Sequence, residues 1–347
     1  MRFSIIIPVY NVERYIRRCM ETIMNQTFRD YEVIVVDDES PDNSMAIVEE
    51  FAEKYPGMIT MIHQKNTRLG GARNRGVQDA RGEYLLFIDS DDYVSADLLA
   101  SVDEQLKRHD CDVLVFKYLT VTPEGEPLQE LGFGPLVPGL YTSREDKHIL
   151  RLPVGACHKV YRRSFYLESK FRFPERVLYE DAIIRFLLAK ASRVYLHDAV
   201  LYYYVQSPGS IMRRKPTAHV LDILKVTDFV LEAFKNDGIY DHFREELDAS
   251  LLTSILHVFN LVNKGEKTSP LQENFARYIR ENFPDFESNP CILKENKAAI
   301  RCILEGKYVW YHYRFLRKLE LVEAVMALPP VAALNDLRKR IMYRERG

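Results

Sequence analysis

Short apolar segments alternate with amphipathic segments along the first 120 residues. The apolar runs are continuous, as expected for strands that are buried on both faces of a sheet. These predicted strands cover residues 3–9, 31–36, 59–63, 84–88 and 112–116. Apolar residues at helical spacing predict helices over residues 12–23, 41–55, 70–80 and 97–108, with Asn11 as the cap of the first. This alternation predicts an α/β fold with a doubly wound, mainly parallel sheet and helices on both faces.

The chain changes character after about residue 120. Residues 122–146 are rich in Pro, Gly and Glu and predict a long loop or hairpin. An apolar helix is expected over 182–191, and two short strands over 194–204. From about residue 217 the pattern is helical to the end. We therefore expect one α/β domain over residues 1–216, followed by a C-terminal helical region over 217–347.

Acidic residues follow two of the predicted strands. Asp37 and Asp38 end the second strand, and Asp89, Asp91 and Asp92 follow the strand that begins at Tyr84. Ligands bind beyond the carboxyl ends of the strands in open α/β sheets. Asp89 and Asp91 point to the same side of an extended chain, where two carboxylates stay ionised when a cation lies beside them. The pattern therefore predicts a nucleotide site with Mg²⁺ or Mn²⁺.

An isolated Asp-x-Asp has a simpler alternative. Such a motif also fits a solvated turn in which Asp91 or Asp92 caps a helix. The acidic pair at the end of a second strand favours the metal site.

Composition narrows the class of protein. The chain has 347 residues, a formal net charge of −2 and 47% hydrophobic residues, which gives no general attraction to nucleic acid. Its five cysteines are scattered, with no CxxC pair, which favours a reducing compartment over a disulfide framework or structural zinc. No signal peptide or membrane-spanning segment is recognisable. These features predict a cytoplasmic protein.

Four motifs occur in order and together resemble the family 2 glycosyltransferases, inverting enzymes with the GT-A fold. The motifs occupy residues 5–11 (Ile-Ile-Ile-Pro-Val-Tyr-Asn), 35–40 (Val-Val-Asp-Asp-Glu-Ser), 71–76 (Gly-Ala-Arg-Asn-Arg-Gly) and 87–92 (Phe-Ile-Asp-Ser-Asp-Asp). The resemblance covers residues 1 to about 120 well. It continues more loosely through Lys159, Glu180-Asp181 and residues 206–213, and the helical tail carries no family motif.

The resemblance implies a nucleotide-binding half at residues 1–120. Pro8, Val9 and Tyr10 would line the base pocket, and Asp38 would accept a hydrogen bond from a base N–H. Asp37 would support the turn. The simpler alternatives are an exposed strand-end aromatic for Tyr10 and helix capping for the aspartates.

The resemblance also implies the residues around the diphosphate. Arg73 would lie near the pyrophosphate, and Arg68 and Ser90 are included in the nucleotide-binding set. Asp89 would bind ribose, or the metal through water, and Asp91 would ligate Mn²⁺ or Mg²⁺ directly. The alternative for Arg73 is a solvated helix charge.

An acceptor half at residues 121–216 would carry the catalytic base. Glu180-Asp181 matches the family's acidic pair, with Asp181 as the base. The start of the following helix is expected to lower the pKa of Asp181. The alternative is that Asp181 only caps this helix.

Three positions depart from the family pattern. Arg68 stands where the family often has glycine, which fits either a nucleotide contact or a different donor preference. Glu39-Ser40 replaces a commoner Gly-Ser, so the turn has less conformational freedom. His158 either approaches the metal or acceptor, or is a packed, hydrogen-bonded histidine.

The expected activity is transfer of a sugar from a nucleotide-diphosphate sugar, with a UDP-sugar as the expected donor, to a hydroxyl of a glycan or lipid-linked acceptor. This fits cell-surface polysaccharide synthesis. Two alternatives are a non-catalytic sugar-nucleotide-binding module and a sugar-phosphate nucleotidyltransferase. The loop Pro8–Asn11 lacks the glycine-rich, basic character of the nucleotidyltransferases, and intact Asp91 and Asp181 argue against a non-catalytic module.

Aromatic and basic residues mix in the C-terminal region from Tyr308 onward. Such a segment suits peripheral attachment to an anionic membrane, here the inner face of the plasma membrane. A tail packed on the catalytic domain with its basic residues in water is an equal alternative.

Overall fold

The computed structural model describes residues 1–206, 218–263 and 270–316 of the chain. It contains two compact units. Of the described residues, the first unit comprises Met1–Ile255 with Asn289–Cys291, and the second comprises Leu256–Ser288 and those from Ile292 onward. The predicted domain boundary between residues 216 and 217 lies outside the described residues and stays a prediction.

The first unit is built on a ten-stranded sheet. Its strands are β1 (Phe3–Val9), β2 (Tyr31–Asp37), β3 (Ile59–His63), β4 (Tyr84–Phe87), β5 (Tyr93–Val94), β6 (Val113–Val121), β7 (Pro127–Leu131), β8 (Gly139–Tyr141), β9 (Lys159–Arg162) and β10 (Val194–Val205). They lie in the order β3-β2-β1-β4-β9-β6-β10-β5, with β7 beside β6 and β8 beside β10. Strands β3, β2, β1 and β4 are parallel, as are β6 and β10.

The helices are divided between the two units. Those before residue 240 are α1 (Ile16–Met24), α2 (Ser44–Lys54), α3 (Arg68–Asp79), α4 (Leu98–Arg108), α5 (Arg163–Glu168), α6 (Ile184–Lys190) and α7 (Asp222–Asn236). The later helices are α8 (Tyr240–Val262), α9 (Pro270–Asn282), α10 (Lys294–Leu304) and α11 (Tyr308–Tyr311). The predicted α/β class, the mainly parallel sheet and the C-terminal helices are confirmed.

Alternation along β1 shows how the sheet is covered on both sides. Ile5 and Ile7 belong to a core cluster with Ile16 and Cys19 of α1. Ile6 points to the other side and lies against Gly76 of α3, where an added Cβ would come within 2.5 Å of it. An apolar run such as this one therefore packs on two helical layers.

Two local predictions were wrong. Asn11 does not cap α1, because the helix begins five residues later at Ile16 and Asn11 takes a left-handed conformation with φ of +57°. Residues 194–204 form one strand, β10, instead of two. Its pairing with β6 is irregular between His197 and Tyr202, so the polar middle of the segment bulges without ending the strand.

The second unit has its own aromatic core. Phe259 lies near the rings of Phe275, Tyr308 and Tyr311, with centroids 5.1–6.0 Å away. Among the described residues, no helix is long and apolar enough to cross a membrane. All five cysteines are free, as predicted.

Candidate active site

The loop after β1 is held by a network of short polar side chains. Asp42 accepts hydrogen bonds from the hydroxyls of Ser40 and Ser44 and from the backbone N–H of Glu13. Tyr10 projects from this loop and is 51% exposed, whereas Pro8 and Val9 end the buried strand. Tyr10 therefore has a free ring face at the edge where the base pocket is predicted. Asp42 was missed, because its role depends on contacts between two loops.

Asp38 lies buried at the end of β2 with its two oxygens in different situations. Oδ1 accepts hydrogen bonds from Gln64 Nε2 at 2.7 Å and from the N–H of Thr67 at 2.9 Å. Oδ2 receives none from the described part of the chain. Asp37 instead supports the turn, since its Oδ1 accepts the N–H of Ser40 at 2.8 Å. The bond geometry thus leaves one oxygen of Asp38 for a ligand.

The guanidinium of Arg73 is fully buried and joins three carboxylates. Nη1 lies 2.6 Å from Asp181 Oδ1 and 3.1 Å from Glu180 Oε1, and Nη2 lies 2.7 Å from Asp89 Oδ1. Although burial alone would lower the pKa of Arg73, the three carboxylates hold it well above its usual value. A solvated helix charge is therefore excluded. The predicted contact with a pyrophosphate stays a prediction, and the protein partners were not foreseen.

Asp91 and Asp92 differ sharply in their surroundings. Asp92 is fully buried, and it accepts hydrogen bonds from the Tyr202 hydroxyl at 2.5 Å and the N–H of Val205 at 2.7 Å. Asp91 is partly exposed, and burial together with the charge of Asp89 raises its pKa to about 6. Asp92 therefore fixes the motif to β10, while Asp91 remains available. Ser90 between them is buried.

A divalent cation fits the oxygen donors of this motif. Asp91 forms no ion pair with a protein cation in the described residues, so its charge is uncompensated, and Asp89 adds a second carboxylate. The described residues contain no group of three or more His, Cys, Asp or Glu side chains that could hold a metal ion. A site made from these two carboxylates therefore needs water or substrate oxygens to complete it, as Mg²⁺ and Mn²⁺ usually do.

Glu180 and Asp181 lie in a 3-10 turn, Glu180–Ile183, directly before α6. Asp181 Oδ2 accepts a long hydrogen bond of 3.4 Å from the N–H of Ala156. The expected lowering of the Asp181 pKa was wrong: burial raises it, although Arg73 opposes the shift. Burial and the charge of Asp181 likewise raise the pKa of Glu180 to about 7. Both carboxylates of the pair therefore take up a proton more readily than exposed carboxylates do.

Arg68 begins α3 with a left-handed backbone, φ of +64°. This conformation favours glycine, which gives a physical reason why the family often has glycine at this position. Its guanidinium Nη1 lies 3.4 Å from Asp222 Oδ2 on α7, a partner that the sequence did not reveal. A nucleotide contact of Arg68 stays a prediction.

His158 is a packed histidine. It is buried, its Nε2 lies 2.8 Å from Lys159 Nζ, and its ring lies 4.9 Å from that of Tyr118. Burial and the neighbouring Lys159 hold the pKa of His158 well below its usual value. Residues 207–213 of the loosely matched segment, with the basic residues Arg214 and Lys215, lie outside the described part of the chain.

Comparisons with known proteins identify relatives in sequence and in fold. A family model described as Glycosyl transferase family 2 matches residues 4–167. The chain is 30% identical to the putative glycosyltransferase EpsH of Bacillus subtilis, over 79% of this chain and 80% of EpsH. It is also 30% identical to the glycosyltransferase GlyG of Streptococcus pneumoniae, over 76% of this chain and 88% of GlyG.

Some relatives match over a smaller part of their length. The uncharacterized glycosyltransferase EpsJ of Bacillus subtilis is 32% identical, and the match covers 60% of this chain and 62% of EpsJ. Among solved structures, S. aureus TarS 1-349 in complex with UDP-GlcNAc superposes with a TM-score of 0.73. The superposition covers 90% of this chain and 92% of TarS 1-349 at 22% sequence identity. This likeness shows a shared fold.

Proposed function

The chain belongs to glycosyl transferase family 2, and from this membership we infer that it transfers a sugar from a nucleotide-diphosphate sugar to a hydroxyl group of an acceptor. One observation carries the inference further than the family does. Arg73 joins Asp89, beside the proposed donor site, to Asp181, the proposed base, in one buried ion-pair cluster. The guanidinium of Arg73 therefore holds a residue of the proposed donor site and the proposed base close to each other.

The proposed donor is a UDP-sugar. Asp38 Oδ2 receives no hydrogen bond from the described residues, so it can accept one from the N–H of a uracil ring, and the exposed ring of Tyr10 offers a stacking surface. Pro8 and Val9 would form the floor of this pocket. The solved complex of TarS with UDP-GlcNAc supports the choice of uridine.

Asp91 and Asp89 would hold a divalent cation, Mn²⁺ or Mg²⁺. When bound, such a cation stabilises the negative charge that develops on a departing diphosphate. Ser90 and Arg68 stay in the proposed nucleotide-binding set, although Arg68 is paired with Asp222 here.

Asp181 would remove the proton from the acceptor hydroxyl as that oxygen attacks the anomeric carbon. The raised pKa of Asp181 suits this task, because a base with a higher pKa gains more from accepting a proton. Arg73 keeps the carboxylate oriented through its 2.6 Å contact. A single displacement inverts the anomeric centre and needs no nucleophilic side chain.

The proposed acceptor is a glycan or a lipid-linked glycan of the cell surface. Curated relatives include a poly(ribitol-phosphate) beta-N-acetylglucosaminyltransferase of Staphylococcus aureus and the minor teichoic acid biosynthesis protein GgaB of Bacillus subtilis. We place the enzyme in the cytoplasm, with peripheral contact to the inner face of the plasma membrane. Exposed Val309 and Trp310 support this contact, and so does the Arg314 guanidinium 4.9 Å over the indole ring.

A panel of sugar nucleotides tests the proposed function. The purified chain is screened by thermal shift with Mn²⁺ for binding and then for slow donor hydrolysis without acceptor. We expect UDP-sugars to raise the melting temperature more than GDP- or CDP-sugars, and Asp38→Asn to reduce that preference. Failure of every sugar nucleotide to bind or turn over would overturn the proposal. Binding without any turnover would instead favour a non-catalytic module.

A further inference from the structure

Lys159, at the start of β9, is a fully buried lysine close to the proposed base. Its ammonium group donates to Pro153 O at 2.6 Å, to Gly155 O at 2.7 Å and to His158 Nε2 at 2.8 Å. All three of its N–H donors therefore have partners. Burying a cation costs free energy unless it is well bonded. An apolar side chain would fill this position at a lower cost, so the lysine suggests a role in function.

The second of these contacts reaches Asp181 through one peptide group. The carbonyl of Gly155 and the N–H of Ala156 belong to the same planar unit and point in opposite directions. Lys159 holds the carbonyl end, and the N–H end donates to Asp181 Oδ2 at 3.4 Å. A cation on the carbonyl also polarises the peptide and strengthens its N–H as a donor.

We propose that Lys159 is a positioning residue for the catalytic base, acting through the Gly155–Ala156 peptide to orient and stabilise the Asp181 carboxylate. We call this chain of contacts the peptide relay. It rests on the proposed function, in which Asp181 is the base. Arg73 holds Oδ1 of the same carboxylate, so the relay and Arg73 fix its two oxygens separately.

The charges around the relay agree with this role. Burial lowers the pKa of Lys159 to about 7, while Cys157 and Asp181 act to keep it charged. The titratable groups that face Asp181 are Arg73, Asp89, Cys157, Lys159, Tyr161 and Glu180. Among them Arg73 and Lys159 are the two cations, so removing Lys159 makes protonation of the acidic pair easier.

Lys159→Met tests the relay, with Lys117→Met as a matched control at a lysine that pairs with Glu130 and Asp198. We expect Lys159→Met to lower kcat about 10-fold or more, to leave the affinity for UDP with Mn²⁺ unchanged, and to move the acid limb of kcat/KM to higher pH. Lys117→Met should change none of these. Unchanged kcat, or a UDP affinity that falls as much as kcat, would overturn the relay.

Ala156→Pro removes the N–H of the relay without touching the lysine. Ala156 is the first residue of a 3-10 turn, a position that proline tolerates. Ala156→Gly keeps the N–H and serves as the control. We expect the proline variant alone to reproduce the loss of kcat, and combining it with Lys159→Met should add little. Wild-type turnover in Ala156→Pro would contradict the relay even if Lys159→Met failed to fold.

Two further measurements separate the relay from the proposed function. In Lys159→Ala, propylammonium has the shape and charge of the deleted atoms and should restore part of kcat, whereas propan-1-ol should not. Hydrogen exchange at the Ala156 amide needs no turnover, and it should become faster in Lys159→Met but not in Lys117→Met. An unchanged exchange rate would overturn the relay. If exchange at the Ala156 amide is faster in Lys159→Met than in the wild-type chain, but the wild-type chain shows no turnover, the proposed function fails while the relay contact stands.

Discussion

At the scale of single residues, the aspartates of the site differ in the groups that balance or bond their negative charge. Asp89 and Asp181 contact Arg73, Asp92 is bonded by Tyr202 and Val205, and Asp91 has no comparable partner in the described residues. Asp91, which forms no ion pair with a protein cation in the described residues, is therefore the carboxylate that we propose binds a cation from solution.

Asp181→Asn should separate catalysis from folding. Asparagine keeps the size of the side chain and one oxygen that can accept a hydrogen bond, but it cannot accept a proton from the acceptor. We expect normal folding, unchanged binding of the sugar nucleotide with Mn²⁺, and a loss of kcat on the order of 10²-fold or more. Calorimetry and steady-state kinetics measure the two effects. Near wild-type turnover would eliminate Asp181 and direct attention to Glu180.

Asp91 gives a pH dependence whose sign follows from its raised pKa of about 6. The folded state without metal binds this proton more tightly than the unfolded chain does. The contribution of Asp91 to stability is therefore present below pH 4 and is lost as the pH rises through about 6. Mn²⁺ needs the ionised carboxylate, so the increase in melting temperature caused by Mn²⁺ with UDP should grow from pH 5 to pH 7.5.

Asp91→Asn is the matching variant. It should make the metal-free protein more stable at pH 7.5, by about 1 kcal/mol, and it should abolish transfer and the Mn²⁺-dependent part of UDP binding. Full activity of wild type in excess EDTA would exclude the metal role.

The acidic residues of the site could be identified from the sequence, but their hydrogen-bond and ion-pair partners could not. Asp38, Asp89 and Asp181 stand in short motifs, so their positions could be predicted. Tyr202 and Asp222 lie more than 100 residues from the groups that they contact, and a single sequence carries no local signal for such pairs. The direction in which the pKa of Asp181 moves was missed for the same reason, because the burial that raises it depends on tertiary packing.

At the scale of elements, α3 connects the sheet to the site. Gly76 lies against Ile6 of β1, and Arg73 projects from the preceding turn of the same helix into the acidic cluster. A continuous apolar run was sufficient to predict β1, and the helical spacing of residues 70–80 predicted most of α3. The irregular middle of β10 was not predictable, since a bulge is decided by the neighbouring strand.

Gly76→Ala should therefore act on both stability and catalysis. A Cβ there would meet Ile6 Cγ2 at 2.5 Å, so α3 must shift away from β1. We expect a loss of about 1–3 kcal/mol in the free energy of unfolding, with reduced turnover because Arg73 moves with the helix. Gly132→Ala is the control, since its Cβ would meet only the flexible Lys117 side chain at 3.4 Å. Urea unfolding measures the stability of both variants, and steady-state kinetics measures their turnover. Equal effects of the two variants would contradict the proposed contact between Gly76 and Ile6.

At the scale of the whole molecule, the chain combines a unit that carries the proposed chemistry with a helical unit in which Trp310 is exposed. Trp310 is 48% exposed although it lies beside Tyr311, a buried core residue. Composition predicted the aromatic and basic character of this region. It did not predict which rings would be buried, because the helical phase of a short segment is set by its neighbours.

Binding to anionic vesicles tests the role of this exposed ring. We expect the full chain to sediment with anionic vesicles at low salt, and Trp310→Ser with Arg314→Ser to weaken that binding several-fold without changing UDP affinity. Phe229→Ser, which removes a 39% exposed aromatic ring from α7, is the control. If the wild-type chain ignores anionic vesicles, the membrane contact is wrong and the basic residues are solvated.

The shared guanidinium of Arg73 limits how enzymes of this kind can be recombined. A crossover near residue 120 would take Arg73 and Asp89 from one parent and Glu180 and Asp181 from the other. A second parent without that acidic pair would leave a buried cation short of partners, which is strongly destabilising. Chimeras designed to exchange acceptor preference should therefore be chosen by whether the incoming half restores these carboxylates, and modular swapping of halves has a built-in compatibility requirement.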